Sequence, residues 1–284
     1  MSDLSNILNT LLIFLLSFFV TSIFIFVLRP FSKKFKIIDE PSERKGHKGK
    51  IPLIGGISVF IGVYISIFGQ LIDNNIFLGY MLSAFLILLL GFIDDCHPLS
   101  AKVRILIQII IVTSMVLFTK LKFDTIGHSF GFYKQIDLGL FSYPITILGL
   151  VFVTNAFNLM DGADGIAGSL AILALIGINI NKLIALDYNF NFLSVAIFAG
   201  LLPYLWFNVF SQAKKKIFLG DSGSLFLGYS IAFLLLYETQ VQNNISPPFA
   251  LWIIAIPVFD TISVMAYRLK NHQSLIVADR NHLH

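Results

Sequence analysis

Residues 76–95 read IFLGYMLSAFLILLLGFIDD, eighteen positions without a charge closed by the adjacent carboxylates Asp94 and Asp95. About 20 apolar residues in a helix match the hydrocarbon thickness of a bilayer, and carboxylates enter that layer only at high cost. The stretch therefore reads as a transmembrane helix that stops at a polar surface. Comparable runs lie near residues 7–28, 53–71, 104–119, 140–157, 165–186, 190–208, 222–237 and 248–267, so with 76–93 nine spans are predicted. Those at 104–119 and 222–237 are short and suit a tilted or partly re-entrant path. The first run has no basic residue before it and outlasts a signal-peptide core, so it is read as a retained anchor. At about 20 residues per span, little chain is left for anything else. Residues 1–284 are expected to form one all-α polytopic membrane domain.

Composition points the same way. The chain has 284 residues, 56% hydrophobic and 13% charged, with 29 Phe and a mean hydropathy of +0.83. Soluble domains carry roughly 25% charged residues, so there are too few charges here to cover a surface facing water. A secreted domain, a nucleic-acid module and a disordered tail are excluded together, and the lipid bilayer is the first partner. The single cysteine, Cys96, allows neither an internal disulfide nor a cysteine-based zinc site.

Orientation follows from the excess of Lys and Arg in cytoplasmic loops. With the N-terminus outside, the inner loops collect 16 of the 20 basic residues and leave Lys120, Lys122, Lys134 and Lys182 outside. The same arrangement makes the inner face +6 and the outer face −2. Nine spans then bring the C-terminus to the cytoplasm.

Four polar, glycine-punctuated segments interrupt the apolar runs: Gly91 to Asp95, Asn155 to Gly165, Phe218 to Ser224, and Asp279 to His284. They follow the third, fifth, seventh and ninth spans, all travelling inward, so parity alone gathers them on the cytoplasmic face. Asp94 and Asp95 end a helix, where the dipole favours cations, and two carboxylates there suit Mg2+. Asn158, Asp161 and Asp164 are spaced i, i+3 and share a face if the segment is helical. Gly162 and Gly165 let a ligand approach the backbone. Asp221 to Ser224 opens an outward-going span whose N–H groups and dipole offer a phosphate site; the plain alternative is that Asp221 and Ser224 are helix caps. Asp260, three residues after Pro257, is the one carboxylate well inside a predicted span. It is a functional candidate for that reason, or else a buried partner for Arg104 or Arg268. The basic run from Lys33 to Lys50 suits anionic head groups. Mg2+ binds through one or two carboxylates and fills its shell with phosphate and water. The sum is phosphoryl transfer between a soluble nucleotide and a lipid phosphate.

These segments resemble the polyprenyl-phosphate N-acetylhexosamine-1-phosphate transferases, glycosyltransferase family 4. The nearest branch is the bacterial one that moves GlcNAc-1-phosphate from UDP-GlcNAc to undecaprenyl phosphate. The matching pieces are His47 to Gly56, the Asp94-Asp95 pair, Asn155 to Gly165, Phe218 to Ser224, Pro257-x-x-Asp260 and Asp279-Arg280-x-His282-Leu283-His284, in family order. The resemblance implies Asp221 as the principal Mg2+ ligand, with Mn2+ able to replace the ion, and Asp94 and Asp95 beside metal and lipid phosphate. It implies a catalytic set of Asp94, Asp95, Asp161 and Asp164, with Asn158 next to them and Phe218 stacked on uracil. Lys50, Lys102 and Arg104 would serve the phosphates, and His47, Asn208 and Asp260 would contact substrate. Arg280, His282 and His284 would hold the sugar phosphate. It implies a bacterial cytoplasmic (inner) membrane protein whose active site faces the cytoplasm and which initiates a cell-envelope polysaccharide such as O antigen of lipopolysaccharide. Relatives carry a second His directly after the position of His284 and then usually two more spans. The expectation is a C-terminally incomplete domain, with an inactive remnant as the alternative.

The expected reaction is direct attack of the lipid phosphate on the β-phosphorus of the UDP-sugar, with an aspartyl-phosphate route as the alternative. Two other activities fit less well. A CDP-alcohol phosphatidyltransferase needs an Arg shortly after its first Asp-Gly, where this chain has Ala163-Asp164-Gly165-Ile166-Ala167. A divalent-cation transporter needs several mid-membrane carboxylates, and only Asp260 qualifies.

Overall fold

The computed structural model describes residues 2–34, 37–40, 49–71, 74–127, 136–185, 191–212 and 215–271. Helix α1 (Ser2–Lys34) leads into a two-stranded hairpin, β1 (Ile38–Asp39) and β2 (Ile51–Pro52). There follow α2 (Gly55–Leu71), α3 (Asn75–Cys96), α4 (Ala101–Thr119), α5 (Ser142–Leu159) and α6 (Ile166–Ile184). Helix α7 (Phe192–Leu205) runs on as a π-helical turn (Trp206–Phe210), and α8 (Gly220–Gln240), α9 (Pro247–Ile253) and α10 (Ala255–Lys270) complete the described fold. The strands are antiparallel, with Ile38 opposite Pro52 and Asp39 opposite Ile51.

The starts of α3 and α7 are set locally. The Asn74 side chain accepts the Ile76 N–H at 2.9 Å, and Asn191 accepts the Leu193 N–H at 3.0 Å, each satisfying a donor that the helix leaves free. Proline at the first positions of α9 uses a place where no N–H is needed.

Each of the nine predicted apolar runs carries helix, but the ninth is broken: α9 and α10 are bent by 79° where they meet. Among the described residues, six helices (α1, α3, α4, α5, α6 and α7 with its π turn) are long and apolar enough to cross a membrane, or seven if the bent pair is one span. Helices α2 and α8 fall outside that group. Helix α2 is short, at 17 residues. Helix α8 has a different reason: every residue except Asp221 and Gln240 is buried, packed among α2, α3, α5, α6 and α9. A helix packed within protein can carry Ser224, Ser230, Glu238 and Thr239, because their polar groups find partners. Ser230 pairs with the Tyr80 hydroxyl of α3 at 2.7 Å, and Tyr229 with Ser83 at 2.6 Å. Helix α1, on the periphery, instead exposes Leu8, Leu12, Phe19 and Phe26.

The start of α8 is gripped from two sides. A Cβ on Gly56 of α2 would lie 2.2 Å from the Cα of Gly223, so only glycine allows the two backbones to touch, as small residues do in membrane helix packing. The Gly55 and Gly56 N–H groups donate to the Phe218 and Leu219 carbonyls at 2.9 and 3.0 Å. The C-terminal ends of α3 and α5 and the N-terminal ends of α2, α4, α6 and α8 thus meet at one end of the bundle.

Candidate active site

At this end lies a cavity of about 870 Å3, within the range of about 300–1,000 Å3 typical of small-molecule sites. It is lined from α3 by Asp94 and Asp95, from α4 by Arg104, and from the end of α5 and the turns beyond it by Asn158, Asp161 and Asp164. The π turn contributes Asn208, the segment before α8 contributes Lys216 and Phe218, and α8 contributes Asp221. Asp221 is the one residue in the body of α8 that is not buried, because it faces this space.

The adjacent carboxylates of α3 have different partners. Asp94 is buried; its Oδ1 accepts the Leu99 N–H at 2.7 Å, and its Oδ2 takes the Arg104 guanidinium. Asp95 reaches across to α8, where Oδ1 accepts the Asp221 N–H at 2.8 Å and Oδ2 the Ser222 N–H at 3.0 Å. Asp95 therefore caps α8 from another helix, a placement the dipole favours. Gly220 makes this approach feasible: its φ is +77°, and a Cβ there would lie 2.7 Å from Asp95 Oδ2. The expected phosphate site at the start of α8 is accordingly corrected at two of its donors, which the chain itself occupies.

Asn158 donates from Nδ2 to Asp221 Oδ1 at 2.6 Å and to Ser224 Oγ at 2.9 Å, fixing the Asp221 carboxylate. Helix α5 ends at Leu159, so Asp161 and Asp164 stand in turns and not on a continued helical face; the Asp161 N–H still bonds the Asn158 carbonyl at 3.2 Å. Burial, reinforced by the charges of Asp221, Asp95 and Asp164, pushes the Asp161 carboxyl well above the usual carboxylate range. Asp164 pairs with Lys216, whose ammonium lies 5.6 Å from the centre of the Phe218 ring. Asn208, 2% exposed, donates from Nδ2 to the Ile217 carbonyl at 2.8 Å, and its Oδ1 has no partner among the described residues. A π turn often marks a functional position, and this one carries Asn208 to the cavity.

Among the described residues, six carboxylates line the cavity (Asp39, Asp94, Asp95, Asp161, Asp164 and Asp221) against two cations, Arg104 and Lys216. Among the described residues, no three carboxylate, imidazole or thiol groups are grouped so as to hold a metal ion by themselves. A divalent cation here would draw on one or two carboxylates and on ligand oxygens, the usual pattern for Mg2+.

Of the site residues expected from the sequence, Asp94, Asp95, Arg104, Asn158, Asp161, Asp164, Asn208, Phe218 and Asp221 line this one cavity. Lys50, Lys102 and Asp260 are not among its lining residues. Lys50 is exposed beside the hairpin and pairs with Glu40 at 2.6 Å. Lys102 sits two positions from Arg104 in the first turn of α4, and residues i and i+2 of a helix do not share a face. Asp260 is buried on α10, as is Arg268, whereas Arg104, its other expected partner, is held by Asp94. His47, Arg280, His282 and His284 lie outside the described residues. Among the described residues, two charged lining residues, Asp39 and Lys216, count in the sequence only as loop charge, and Lys216 is the one that a neighbouring motif points to. Its position two before Phe218 was the available signal, since alternate residues of an extended segment share a side.

The description "Glycosyl transferase family 4" matches residues 77–239, which take in the cavity residues from Asp94 to Asp221. The undecaprenyl-phosphate alpha-N-acetylglucosaminyl 1-phosphate transferase of Escherichia coli K12 is 35% identical over 271 residues, 94% of this chain and 73% of that protein. Its counterpart in Salmonella typhimurium LT2 is 36% identical over 271 residues, with the same shares. A probable undecaprenyl-phosphate N-acetylglucosaminyl 1-phosphate transferase of Bacillus subtilis 168 is 36% identical over 276 residues, 94% of this chain and 75% of that protein.

Proposed function

The chain belongs to glycosyl transferase family 4, and from that premise we propose that it transfers N-acetylglucosamine 1-phosphate from UDP-GlcNAc to undecaprenyl phosphate, releasing UMP. The site is read as facing the cytoplasm from a bacterial inner membrane, with nine membrane passages and the N-terminus outside. The observation that carries this reading is the cavity itself. Carboxylates from α3, the α5–α6 turns and α8 meet two cations and one aromatic ring there among the described residues, a set of groups that would suit a divalent cation, a diphosphate and a nucleobase together. The excess of carboxylates over cations would repel an anionic substrate unless a further cation stood between them.

The residues present fit Mg2+. Asp221, oriented by Asn158, and Asp161 are its proposed ligands, since both Asp95 oxygens cap α8 and Asp94 is engaged by Arg104 and Leu99. When bound, the ion would offset charge on the diphosphate and on the leaving phosphate. The lipid phosphate oxygen forms a bond to the β-phosphorus, and the bond from that phosphorus to the bridging oxygen breaks, UMP keeping the electron pair. A phosphate monoester has a second pKa of about 6, so the acceptor is already largely a dianion at neutral pH. A strong general base is not required, and the occupied oxygens of Asp94 and Asp95 favour positioning over an aspartyl-phosphate route. Phe218 offers its ring to uracil. The polymer initiated, including O antigen, is set by whichever enzymes take up the lipid-linked sugar.

The test uses membranes bearing this chain, undecaprenyl phosphate, Mg2+ and radiolabelled UDP-GlcNAc. Label should enter the lipid fraction as UMP is released, and both should vanish with EDTA or in Asp221→Asn. EDTA-resistant transfer, or near-normal turnover in that variant, would overturn the metal assignment. Label that never reaches lipid would overturn the activity.

A further inference from the structure

Of the two cations that line the cavity among the described residues, one is placed to change partners. Arg104 is held by Asp94, whose side chain is 5% exposed, and removing one partner of a buried charge pair is costly. Lys216 pairs with Asp164, whose side chain is 44% exposed; a pair open to water on one side separates readily. The Lys216 ammonium also rests 5.6 Å from the centre of the Phe218 ring, held by the ring's negative face. Phe218 is the one aromatic side chain among the described cavity-lining residues, so a planar base stacking there must contend with the ammonium.

We propose that Lys216 is a ligand-exchanged latch for a nucleoside diphosphate. Without substrate it stays on Asp164 and covers Phe218; when a nucleotide enters, the base takes the ring face and the ammonium leaves Asp164 for the diphosphate. Lysine suits this exchange, being a point charge on a flexible four-carbon stem. Asp164 and the diphosphate are alternative anions for one cation, so the carboxylate that holds the latch also competes with the substrate. The same chemistry could serve the lipid phosphate, but the neighbouring ring favours the nucleotide. This inference rests on the nucleotide reading above.

The test measures UDP and uridine binding by equilibrium dialysis on the full chain in nanodiscs, with Mg2+ present. A charge-assisted contact of ordinary strength is worth about tenfold in affinity or more. Lys216→Met should therefore lower the ratio of UDP to uridine affinity about tenfold, and Lys216→Arg should largely restore it. Asp164→Asn should raise the ratio, because the competing anion is gone. In turnover, Lys216→Met should raise KM for UDP-GlcNAc and leave KM for undecaprenyl phosphate near its original value. Taking the ratio within each variant cancels any loss of folded protein, and Lys216→Gln serves as a second, polar replacement. A ratio unmoved by both replacements, or a rise in KM confined to the lipid phosphate, overturns the latch while leaving the nucleotide reading intact. Wild-type protein that binds neither UDP nor uridine overturns both.

Discussion

Asn158 and Asp161 show how single residues set the chemistry of the cavity. The Asn158 amide holds both Asp221 and Ser224, and a hydrogen bond to a charged group is worth about 1.5–3 kcal/mol. Asn158→Ala should raise the Mg2+ concentration for half-maximal activity about tenfold, read by titrating the transferase assay. Asn158→Asp, which replaces a donor with a third charge, should be worse. Asp161 gives a pH dependence of definite sign. Its carboxyl titrates well above the usual carboxylate range, and a metal ligand must lose its proton. Divalent-cation affinity should therefore rise with pH and release protons, measurable by Mn2+ calorimetry in buffers of different ionisation enthalpy. Asp161→Asn should flatten that dependence. In the metal-free protein the sign reverses: a raised carboxyl stabilises the fold below its unfolded pKa, and that contribution is lost as pH rises through the folded value.

Helix α8 is the element on which the site depends, and its N-terminus is held by a neighbour and not by its own sequence. Asp95 supplies both acceptors, and the left-handed Gly220 lets it come close. Losing a helix cap costs about 0.5–2 kcal/mol. Asp95→Ala should lower thermal stability by about that amount and also weaken Mg2+ activation, because Asp221 is carried on the same turn. Asp95→Asn, which keeps one acceptor oxygen, should lose less on both counts. Equal loss of activity in the two variants with unchanged stability would show that the Asp95 charge acts directly and not through α8. Gly220→Ala should be more damaging than either, since an L-residue at φ +77° is strained by about 1–2 kcal/mol and its Cβ meets Asp95.

At the scale of the whole molecule, the polar ends of six helices gather at one end of the bundle, and a second cluster marks the other. There the buried Glu238 takes the Asn191 amide at 2.9 Å and the Asn244 amide at 2.6 Å. In the proposed topology, which follows the distribution of Lys and Arg, the first end faces the cytoplasm. In a Cys96→Ser background, an impermeant maleimide should label Ala185→Cys in intact cells and Gln212→Cys only after permeabilisation. The reverse pattern would invert the proposed topology.

Apolar run length and polar punctuation were legible without a structure. Every predicted run carries helix, and nine of the expected site residues line one cavity, because hydropathy and spacing are local properties of the chain. Three matters were not legible for the same reason. The burial of α8 among five helices explains its modest hydropathy, and no window of sequence records which helix ends up in the centre. The break between α9 and α10 falls inside one continuous apolar run. Asp94 and Asp95 are chemically identical neighbours, yet they leave the helix about 100° apart and so meet Arg104 and α8 respectively. The sequence by itself determined that this chain is a membrane-embedded helical protein with acidic clusters gathered at one face. Only the tertiary structure decided which carboxylate caps a helix, which binds arginine and which faces the cavity, because those choices are made by partners distant in sequence.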